Sequence, residues 1–207
     1  KMLHAAQTGF LNATDLADYL VWRASDADVA SVCTLTCKWN YIAHENRFSE
    51  TLLSGVGLSD IVGKVPPHVL PLGSAAGKLS PRAAAELGLP PGVVVATGII
   101  DAHAGGLALV STAPQGSLAI IGGTSNCHMA VSADPVMVPG VWGPYFGAML
   151  PGWWLNEGGQ SAAGALLDWT LRQSDAWPLL ENSVSDTCFT LLYTLRTMGI
   201  RFIRCSQ

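Results

Sequence analysis

A carboxylate and an imidazole stand close together in the sequence GIIDAHAGG, where Asp101 and His103 follow an apolar run and precede two glycines. An acid at the carboxyl end of a buried strand lies where open α/β sheets present groups to a ligand. The flanking apolar residues would partly desolvate Asp101, which favours a proton-accepting role. The alternative is an aspartate that caps a helix N-terminus with His103 as a packed surface imidazole, and the residues alone leave both interpretations open.

A second polar group, the sequence GGTSNCH, places two hydroxyls beside a pair of glycines. A tight turn at Gly123, Thr124 and Ser125 would expose backbone N–H groups and both hydroxyls, an arrangement that can hold phosphate oxygens. An ordinary hairpin turn gives the same pattern, so that alternative stays open. Cys127 and His128 would not form a catalytic pair, because neighbours in a strand point to opposite faces. The chain has neither a P-loop pattern nor a dinucleotide-binding fingerprint.

A third polar group lies in the sequence WWLNEGGQSAAG, where Glu157 and Gln160 stand between two tryptophans and a helix start. A carboxylate and a carboxamide can take the hydroxyls of a polyhydroxylated ligand, and aromatic rings can cover its C–H face. A helix-capping glutamate beside a core tryptophan pair fits the same residues equally well.

Three segments of the chain predict helices that could position these groups. Residues 12–23 have helical spacing at Leu16, Tyr19, Leu20 and Trp22 or Arg23, with Asn12 or Thr14 as the cap. Pro81 to Leu87 would form a small helix within a Pro- and Gly-rich surface connection, with Ser80 as N-cap. Residues 161–172 predict an amphipathic helix with one face formed by Ala162, Leu166, Leu167 and Trp169.

Strand signals surround the polar groups. The run GVVVATGII predicts a buried strand before Asp101. Two apolar runs within residues 116–132 flank the Gly-Gly-Thr-Ser turn and predict a hairpin. The aromatic-rich residues 139–160 read as loop and strand, and residues 31–41 fit either a strand or a helix.

The composition limits the classes of protein that fit. A chain of 207 residues with a net charge of −4 and 49% hydrophobic residues suits one or two globular domains. The mildly acidic balance gives no electrostatic case for nucleic acid or a membrane surface, and we see neither an apolar run of transmembrane length nor a secretory leader. Five cysteines, an odd number, indicate reduced thiols and a cytoplasmic location. Cys33 and Cys37 lack partners that would complete a zinc site, so we expect no protein-bound metal site.

Five stretches within about residues 12–168 carry a family resemblance: CKWNY, GIIDAHAGG, GGTSNCHM, VPGVWGPYFGAMLPGWWLNEGGQSAAG and, more weakly, DLADYLVWRAS. Together they resemble the FGGY family of carbohydrate kinases, most closely its D-ribulokinase and ribitol-kinase-like branch. The resemblance implies an α/β, actin-like (RNase H-like) ATPase fold. In that fold the first domain mainly binds sugar and the second mainly binds ATP.

The resemblance also implies roles for individual residues. Asp101 would be the general base, and Lys38 and Glu157 would hold the sugar. The turn at Gly123, Thr124 and Ser125 would contact the nucleotide phosphates. His103 would shape the pocket. The implied cofactors are ATP and Mg²⁺, and the implied partner is a small sugar or polyol.

The sequence departs from the family pattern in places. It has no Asp-x-Gly-Thr phosphate hairpin and no glycine-rich adenine motif, and the match fades after about Asp168. We therefore interpret residues 1–112 as the end of the sugar-binding domain, 113–180 as the start of the ATP-binding domain and 181–207 as an atypical tail. This interpretation predicts an internal part of a kinase with little activity on its own.

Three functional hypotheses follow. The favoured one is phosphorylation of a pentulose or pentitol hydroxyl, with a homodimer left open for a longer protein. The second is a non-catalytic carbohydrate-binding relative of the kinases. The third is an unrelated α/β hydrolase or thiol enzyme that uses Cys127.

Overall fold

The computed structural model describes residues 14–173 and 202–204. The chain divides into two compact units, one formed by residues 1–104 and 145–155 and the other by residues 105–144 and 156–207. The expected domain boundary between residues 112 and 113 falls inside the second unit by this division and stays a prediction. The expected tail lies outside the described residues except for 202–204. None of the helices within the described part of the chain is long and apolar enough to cross a bilayer.

Among its described residues, the first unit contains short helices and three two-stranded sheets. Its helices are α1 (Leu16–Ser25), α2 (Val32–Trp39), α3 (Glu50–Gly55) and α4 (Pro81–Leu87), with 3₁₀ turns at Ala43–Glu45 and Ser59–Lys64. Its strands are β1 (Val29–Ser31), β2 (Tyr41–Ile42), β3 (Arg47–Phe48), β4 (His68–Leu70), β5 (Ala75–Lys78) and β6 (Val94–Ala96). Helix α5 (Asp101–Val110) begins in this unit.

Helix α1 confirms the first predicted helix but differs in its cap and its buried face. The cap is Asp15, whose carboxylate accepts a hydrogen bond from the Ala17 amide, and not Thr14. The other predicted cap, Asn12, lies outside the described residues. The helix buries Asp18 and Val21. The residues that gave the helical spacing are largely exposed: Leu16, Tyr19 and Leu20.

Helix α2 resolves the ambiguous stretch at residues 31–41. Ser31 ends β1 and caps the helix, with its hydroxyl accepting a hydrogen bond from the Cys33 amide. Asn40 ends the helix in the left-handed conformation, which asparagine tolerates better than most residues. The caps at Ser31 and Asn40 favour the helix, and they outweigh the strand preference of the β-branched residues between these two positions.

A hydrophobic cluster fills the space between α2 and the surrounding strands and turns. Strands β1 and β4 are parallel, with Ala30 paired to Val69. Tyr41 and Phe48 face each other across β2 and β3, with ring centroids 5.1 Å apart in a T-shaped contact. The buried members of this cluster are Ala30, Leu35, Tyr41, Phe48, Leu53, Ile61 and Val65. The sequence did not predict β4, because it lies within the Pro- and Gly-rich connection.

The small helix in that connection is confirmed at Pro81–Leu87. Ser80 caps it by accepting a hydrogen bond from the Ala83 amide, and Pro81 occupies the first helical position. The predicted buried strand before Asp101 is wrong. Only Val94–Ala96 form a strand, which pairs antiparallel with β5 and leaves Val94 62% exposed. The apolar run therefore supplies one short, solvent-facing strand.

The second unit contains the predicted hairpin. Strands β7 (Leu118–Gly122) and β8 (Asn126–Ser132) pair antiparallel and bury Ala119 and Met129 completely. They belong to a five-stranded sheet with the order β11 (Phe202–Arg204), β7, β8, β10 (Trp154–Gln160) and β9 (Trp142–Phe146). Strands β9 and β10 confirm the expected loop and strand region.

Helix α6 (Gly164–Arg172) confirms the last predicted helix, but its predicted apolar face is not a buried face in the described chain. Leu166 is 38% exposed and Trp169 is 61% exposed. The buried residue at this end of the chain is Ala163, just before the helix. The predicted helix is therefore confirmed, and two residues of its predicted face are exposed.

Candidate functional site

Asp101 is the first residue of α5 and is exposed. One of its carboxylate oxygens accepts a hydrogen bond from the Ala102 amide at 2.8 Å. The prediction that Asp101 ends a buried strand among desolvating apolar residues is therefore wrong. The alternative is confirmed in that Asp101 starts a helix, where the N–H groups of the first turn favour a negative charge. The surface position that the alternative gave His103 is wrong, because this side chain is buried.

His103 lies on the same helix as Asp101 but is buried, with 1% of its surface exposed. Its Nε2 atom is 3.4 Å from the Sγ atom of Cys37, on the last turn of α2. Burial and the Lys38 charge lower the pKa of His103 to about 4, and the Asp101 charge partly opposes them. At neutral pH the imidazole is therefore uncharged, which fits a residue that shapes a pocket better than a base exposed to substrate.

The charges of Lys38 and Asp101 both act on the imidazole of His103. Lys38 is exposed in the last turn of α2, and its charge acts on His103 from that side. Asp101 acts on His103 from the start of α5. The first unit therefore gathers one cation, one carboxylate and one neutral imidazole, with the Cys37 thiol between the two helices.

Gly98 permits the close packing that precedes α5. A Cβ atom at this position would lie 2.9 Å from the Ala17 Cβ atom and 3.0 Å from the Ala17 backbone. Thr97, just before it, is held by hydrogen bonds to the carbonyls of Ser74 and Pro71. The segment leading into Asp101 is thus fixed against α1 by a contact that only glycine allows without a shift.

The hairpin turn consists of Gly123, Thr124 and Ser125, all of them exposed. The Gly123 amide donates to the Ser125 carbonyl at 2.9 Å, so this N–H already has a partner within the turn. The Thr124 carbonyl accepts a hydrogen bond from the Ala163 amide, which ties the turn to the segment before α6. The turn therefore has a defined shape and presents both hydroxyl-bearing residues at the surface.

Cys127 and His128 follow this turn as consecutive residues of β8. Neighbouring side chains in a strand point to opposite faces, as the sequence predicted. This geometry gives no thiol–imidazole pair of the kind that the hydrolase hypothesis would need.

Glu157 and Gln160 both lie in β10. They are three positions apart, so regular strand geometry puts their side chains on opposite faces. Glu157 is half-buried and shares its face with the fully buried Leu155, whereas Gln160 is exposed at the strand end. The strand therefore does not direct these two side chains to one point.

An aromatic cluster that sequence reasoning missed holds the start of β10. Trp154 packs against His44 and Phe146, with ring centroids 4.8 Å and 5.0 Å away, all within the first unit. No local sequence signal pointed to His44, because it follows β2 in a short 3₁₀ turn far from the tryptophans along the chain. The ring of Trp154 is thus used for packing.

Comparison with known proteins identifies the family of this chain. Residues 118–192 match the C-terminal domain of the FGGY family of carbohydrate kinases. Over 191 residues the chain is 44% identical to an FGGY carbohydrate kinase domain-containing protein from Homo sapiens. The chain belongs to the FGGY family of carbohydrate kinases. That match covers 84% of this chain and 34% of the human protein, so the chain spans about a third of the length of this relative.

A D-ribulokinase and the solved structure of a xylulose kinase are also similar to this chain. The chain is 33% identical over 189 residues to a D-ribulokinase from Saccharomyces cerevisiae, covering 74% of this chain and 26% of that enzyme. The crystal structure of a xylulose kinase from Rhodospirillum rubrum superposes with a TM-score of 0.65 at 23% identity, over 87% of this chain and 35% of the other. The resemblance seen in the sequence and the α/β, actin-like ATPase fold are both confirmed.

Proposed function

We propose that this FGGY family chain forms part of a kinase that transfers a phosphoryl group from ATP to a hydroxyl of a pentulose or pentitol such as D-ribulose or ribitol. Family membership supports the reaction class, and the similarity to a D-ribulokinase supports the sugar class. The observation that carries the proposal is that the charges of Lys38 and Asp101 both act on the buried imidazole of His103. The cytoplasmic location that the proposal includes rests on the odd number of cysteines, five, in the sequence.

In this proposal Asp101 accepts the proton of the attacking hydroxyl. Its position on the surface at the start of α5 leaves its carboxylate accessible to a sugar. A base contributes when it lies within hydrogen-bond reach of the proton that it takes. Because Asp101 is open to solvent in this chain, the bound substrates would have to exclude water from it.

Lys38 and Glu157 are assigned to the sugar hydroxyls. A lysine ammonium donates to sugar oxygens, and a carboxylate accepts from sugar hydroxyls, so the two groups bind complementary parts of a polyol. Gln160 remains a proposed contact that can both donate and accept. Since β10 directs Glu157 and Gln160 to opposite faces, we assign the stronger role to Glu157.

The turn at Gly123, Thr124 and Ser125 is assigned to the phosphates. Two exposed hydroxyl-bearing residues in a turn fixed by backbone hydrogen bonds fit a phosphate in their chemistry. The Gly123 amide is engaged inside the turn, which leaves fewer N–H groups for a phosphate than the sequence suggested. ATP would supply the γ-phosphoryl group together with Mg²⁺, and no residue of this chain is assigned as a ligand of the metal.

The test is a chimera in which this chain replaces the matching segment of the S. cerevisiae D-ribulokinase. Circular dichroism and thermal unfolding first compare its fold with that of the parent enzyme. D-ribulose, ribitol, L-ribulose and D-xylulose are then assayed for ATP-dependent phosphorylation. The proposal expects phosphorylation of at least one of them by the folded chimera.

The same chimera tests the non-catalytic alternative, in which the chain binds a carbohydrate without transferring phosphate. A folded chimera that binds a pentulose but transfers no phosphate would favour the carbohydrate-binding relative. A folded chimera that neither binds nor phosphorylates any of the four compounds would contradict both functions.

A further inference from the structure

A tryptophan at the start of β9 is not used by the proposed chemistry. Trp142 is 58% exposed, although it belongs to a strand that pairs with β10. A Cβ atom at Gly159 of β10 would lie 2.9 Å from the Cη2 atom of Trp142 and 3.0 Å from its Cζ3 atom. The six-membered ring of the indole therefore lies against the backbone of β10 at a distance that only glycine allows without a shift.

The contact with Gly159 shows which face of β10 carries the indole. The Cβ direction of Gly159 points to the face that also carries the side chain of Glu157, because residues two apart in a strand share a face. Such residues are about 7 Å apart along the strand, a spacing that one small polyol can bridge. Trp142, Glu157 and Gly159 all lie in the second unit. The proposed sugar carboxylate and an exposed aromatic ring are thus neighbours on one surface.

The backbone before Trp142 is held in place by two hydrogen bonds. The Val141 amide donates to the Val138 carbonyl at 3.1 Å. The side-chain amide of Asn156, in β10, donates to the Val136 carbonyl at 3.0 Å. A tryptophan side chain has only two rotatable bonds, so a ring on a fixed backbone loses little conformational entropy when a ligand binds to it.

We propose that Trp142 is a sugar-binding residue whose indole covers the C–H groups of the pentulose or pentitol while Glu157 accepts hydrogen bonds from its hydroxyls. This inference deepens the proposed function and rests on it, because Glu157 is the proposed sugar ligand. An aromatic face suits C–H groups and a carboxylate suits hydroxyls, so together they match both surfaces of a polyol. Trp154, one of the two tryptophans near Glu157 in the sequence, packs against His44 and Phe146 instead.

The first experiment replaces Trp142 in the chimera described above. Trp142→Ala should raise the KM for D-ribulose and its dissociation constant in calorimetry about five- to tenfold. The kcat and the KM for ATP should change by less than about twofold, because the ring acts on the bound sugar. Trp142→Phe should restore most of the affinity, since it keeps an aromatic face. Trp169→Ala, which removes a 61% exposed tryptophan of α6 in the same unit, is the matched control and should change none of these values.

The two glycines of β10 give a second measurement that leaves the indole in the chain. Gly159→Ala places a methyl group against the ring, which must then move, so the KM for D-ribulose should rise about threefold or more. Gly158→Ala is the control, because a Cβ atom there would lie 3.9 Å from the His128 Cβ atom, an ordinary contact on the opposite face. Once Trp142→Ala has removed the ring, Gly159→Ala should have no further effect on this KM.

An unchanged affinity for D-ribulose in a folded Trp142→Ala chimera would overturn the inference and leave the proposed function intact. If Trp142→Ala does not fold, the glycine pair decides, and an equal KM for D-ribulose in Gly159→Ala and Gly158→Ala would overturn the inference. If the parental chimera binds sugar but transfers no phosphate, the proposed phosphoryl transfer fails and calorimetry alone tests the ring. A folded parental chimera that binds none of the four compounds would overturn the proposed function and this inference with it.

Discussion

The carboxylate of Asp18, in the first turn of α1, accepts a hydrogen bond from the backbone amide of Ser31 at 2.9 Å. Its other oxygen lies 2.5 Å from the Thr34 hydroxyl, and the residue is 3% exposed. This buried acid joins α1 to the start of α2. Burial raises the pKa of Asp18 to about 6, although the hydrogen bonds from Thr34 and Ser31 partly oppose it.

The raised pKa of Asp18 predicts a pH-dependent stability. The native chain holds this proton more tightly than the unfolded chain does, so stability should fall as the pH rises from about 4 to about 6. Above that window the ionised carboxylate costs about 3 kcal/mol. Asp18→Asn keeps an acceptor for the Ser31 amide and cannot ionise. Urea unfolding should therefore show a flatter pH profile for Asp18→Asn and at least wild-type stability at pH 7.5.

Asp18→Ala is the matched control for this prediction. It also cannot ionise, but it leaves the buried Ser31 amide without its acceptor. We expect it to be about 1–3 kcal/mol less stable than Asp18→Asn at every pH. A pH profile for Asp18→Asn as steep as that of the wild type would show that Asp18 is not the titrating group.

The contact between Gly98 and Ala17 predicts that Gly98→Ala destabilises the chain. An added methyl group would meet both the side chain and the backbone of α1, so the helix or the segment before Asp101 must move. The expected loss is about 1–3 kcal/mol in urea unfolding. Gly55→Ala, in α3, is the control, because nothing lies within 4 Å of a Cβ atom there and alanine is the better helix former. Equal stability of the two variants would rule out the tight contact.

The charges of Lys38 and Asp101 act on His103 in opposite directions, so replacing each residue should shift the pKa of His103 in opposite directions. Lys38→Met removes the cation that lowers the pKa of His103, so this pKa should rise from about 4. Asp101→Asn removes the charge that raises it, so the pKa should fall further. NMR titration of the 207-residue chain measures both shifts. Identical titration of His103 in both variants and in the wild type would mean that neither charge lies near the ring.

The chain by itself should turn over D-ribulose and ATP slowly or not at all. This sequence lacks the phosphate hairpin and the adenine motif of the FGGY family pattern, and phosphoryl transfer depends mainly on positioning and electrostatic stabilisation of the phosphates. A coupled assay that follows ADP release measures the rate, with the S. cerevisiae D-ribulokinase as reference. Turnover of the 207 residues at the rate of that enzyme would contradict this expectation.

Locally encoded elements of the fold were predictable from the sequence. The hairpin of β7 and β8 follows from two apolar runs around Gly-Gly-Thr-Ser, and α4 follows from Ser80 and Pro81, because both signals lie within a few residues. The strand predicted from the run GVVVATGII, before Asp101, was wrong. Its β-branched residues indicate a buried strand, whereas tertiary packing gives a short exposed strand and starts a helix at Asp101.

The candidate site was predictable only in part. The resemblance assigned roles to Lys38 and Asp101, which the structure brings to one imidazole. The contact between Cys37 and His103 and the buried carboxylate of Asp18 had no local signal, because each depends on two helices meeting in the folded chain. The sugar roles of Glu157 and Gln160 and the phosphate role of the turn remain proposals.

The central claim is that Asp101 acts as the base while Lys38 binds the sugar. Steady-state kinetics of Asp101→Asn and Lys38→Ala in the chimera, with D-ribulose affinity measured by calorimetry, test it most directly. Asp101→Asn should lower kcat about 10²- to 10⁴-fold with little change in affinity, whereas Lys38→Ala should raise KM about tenfold or more. A kcat for Asp101→Asn equal to that of the parental chimera would contradict the account.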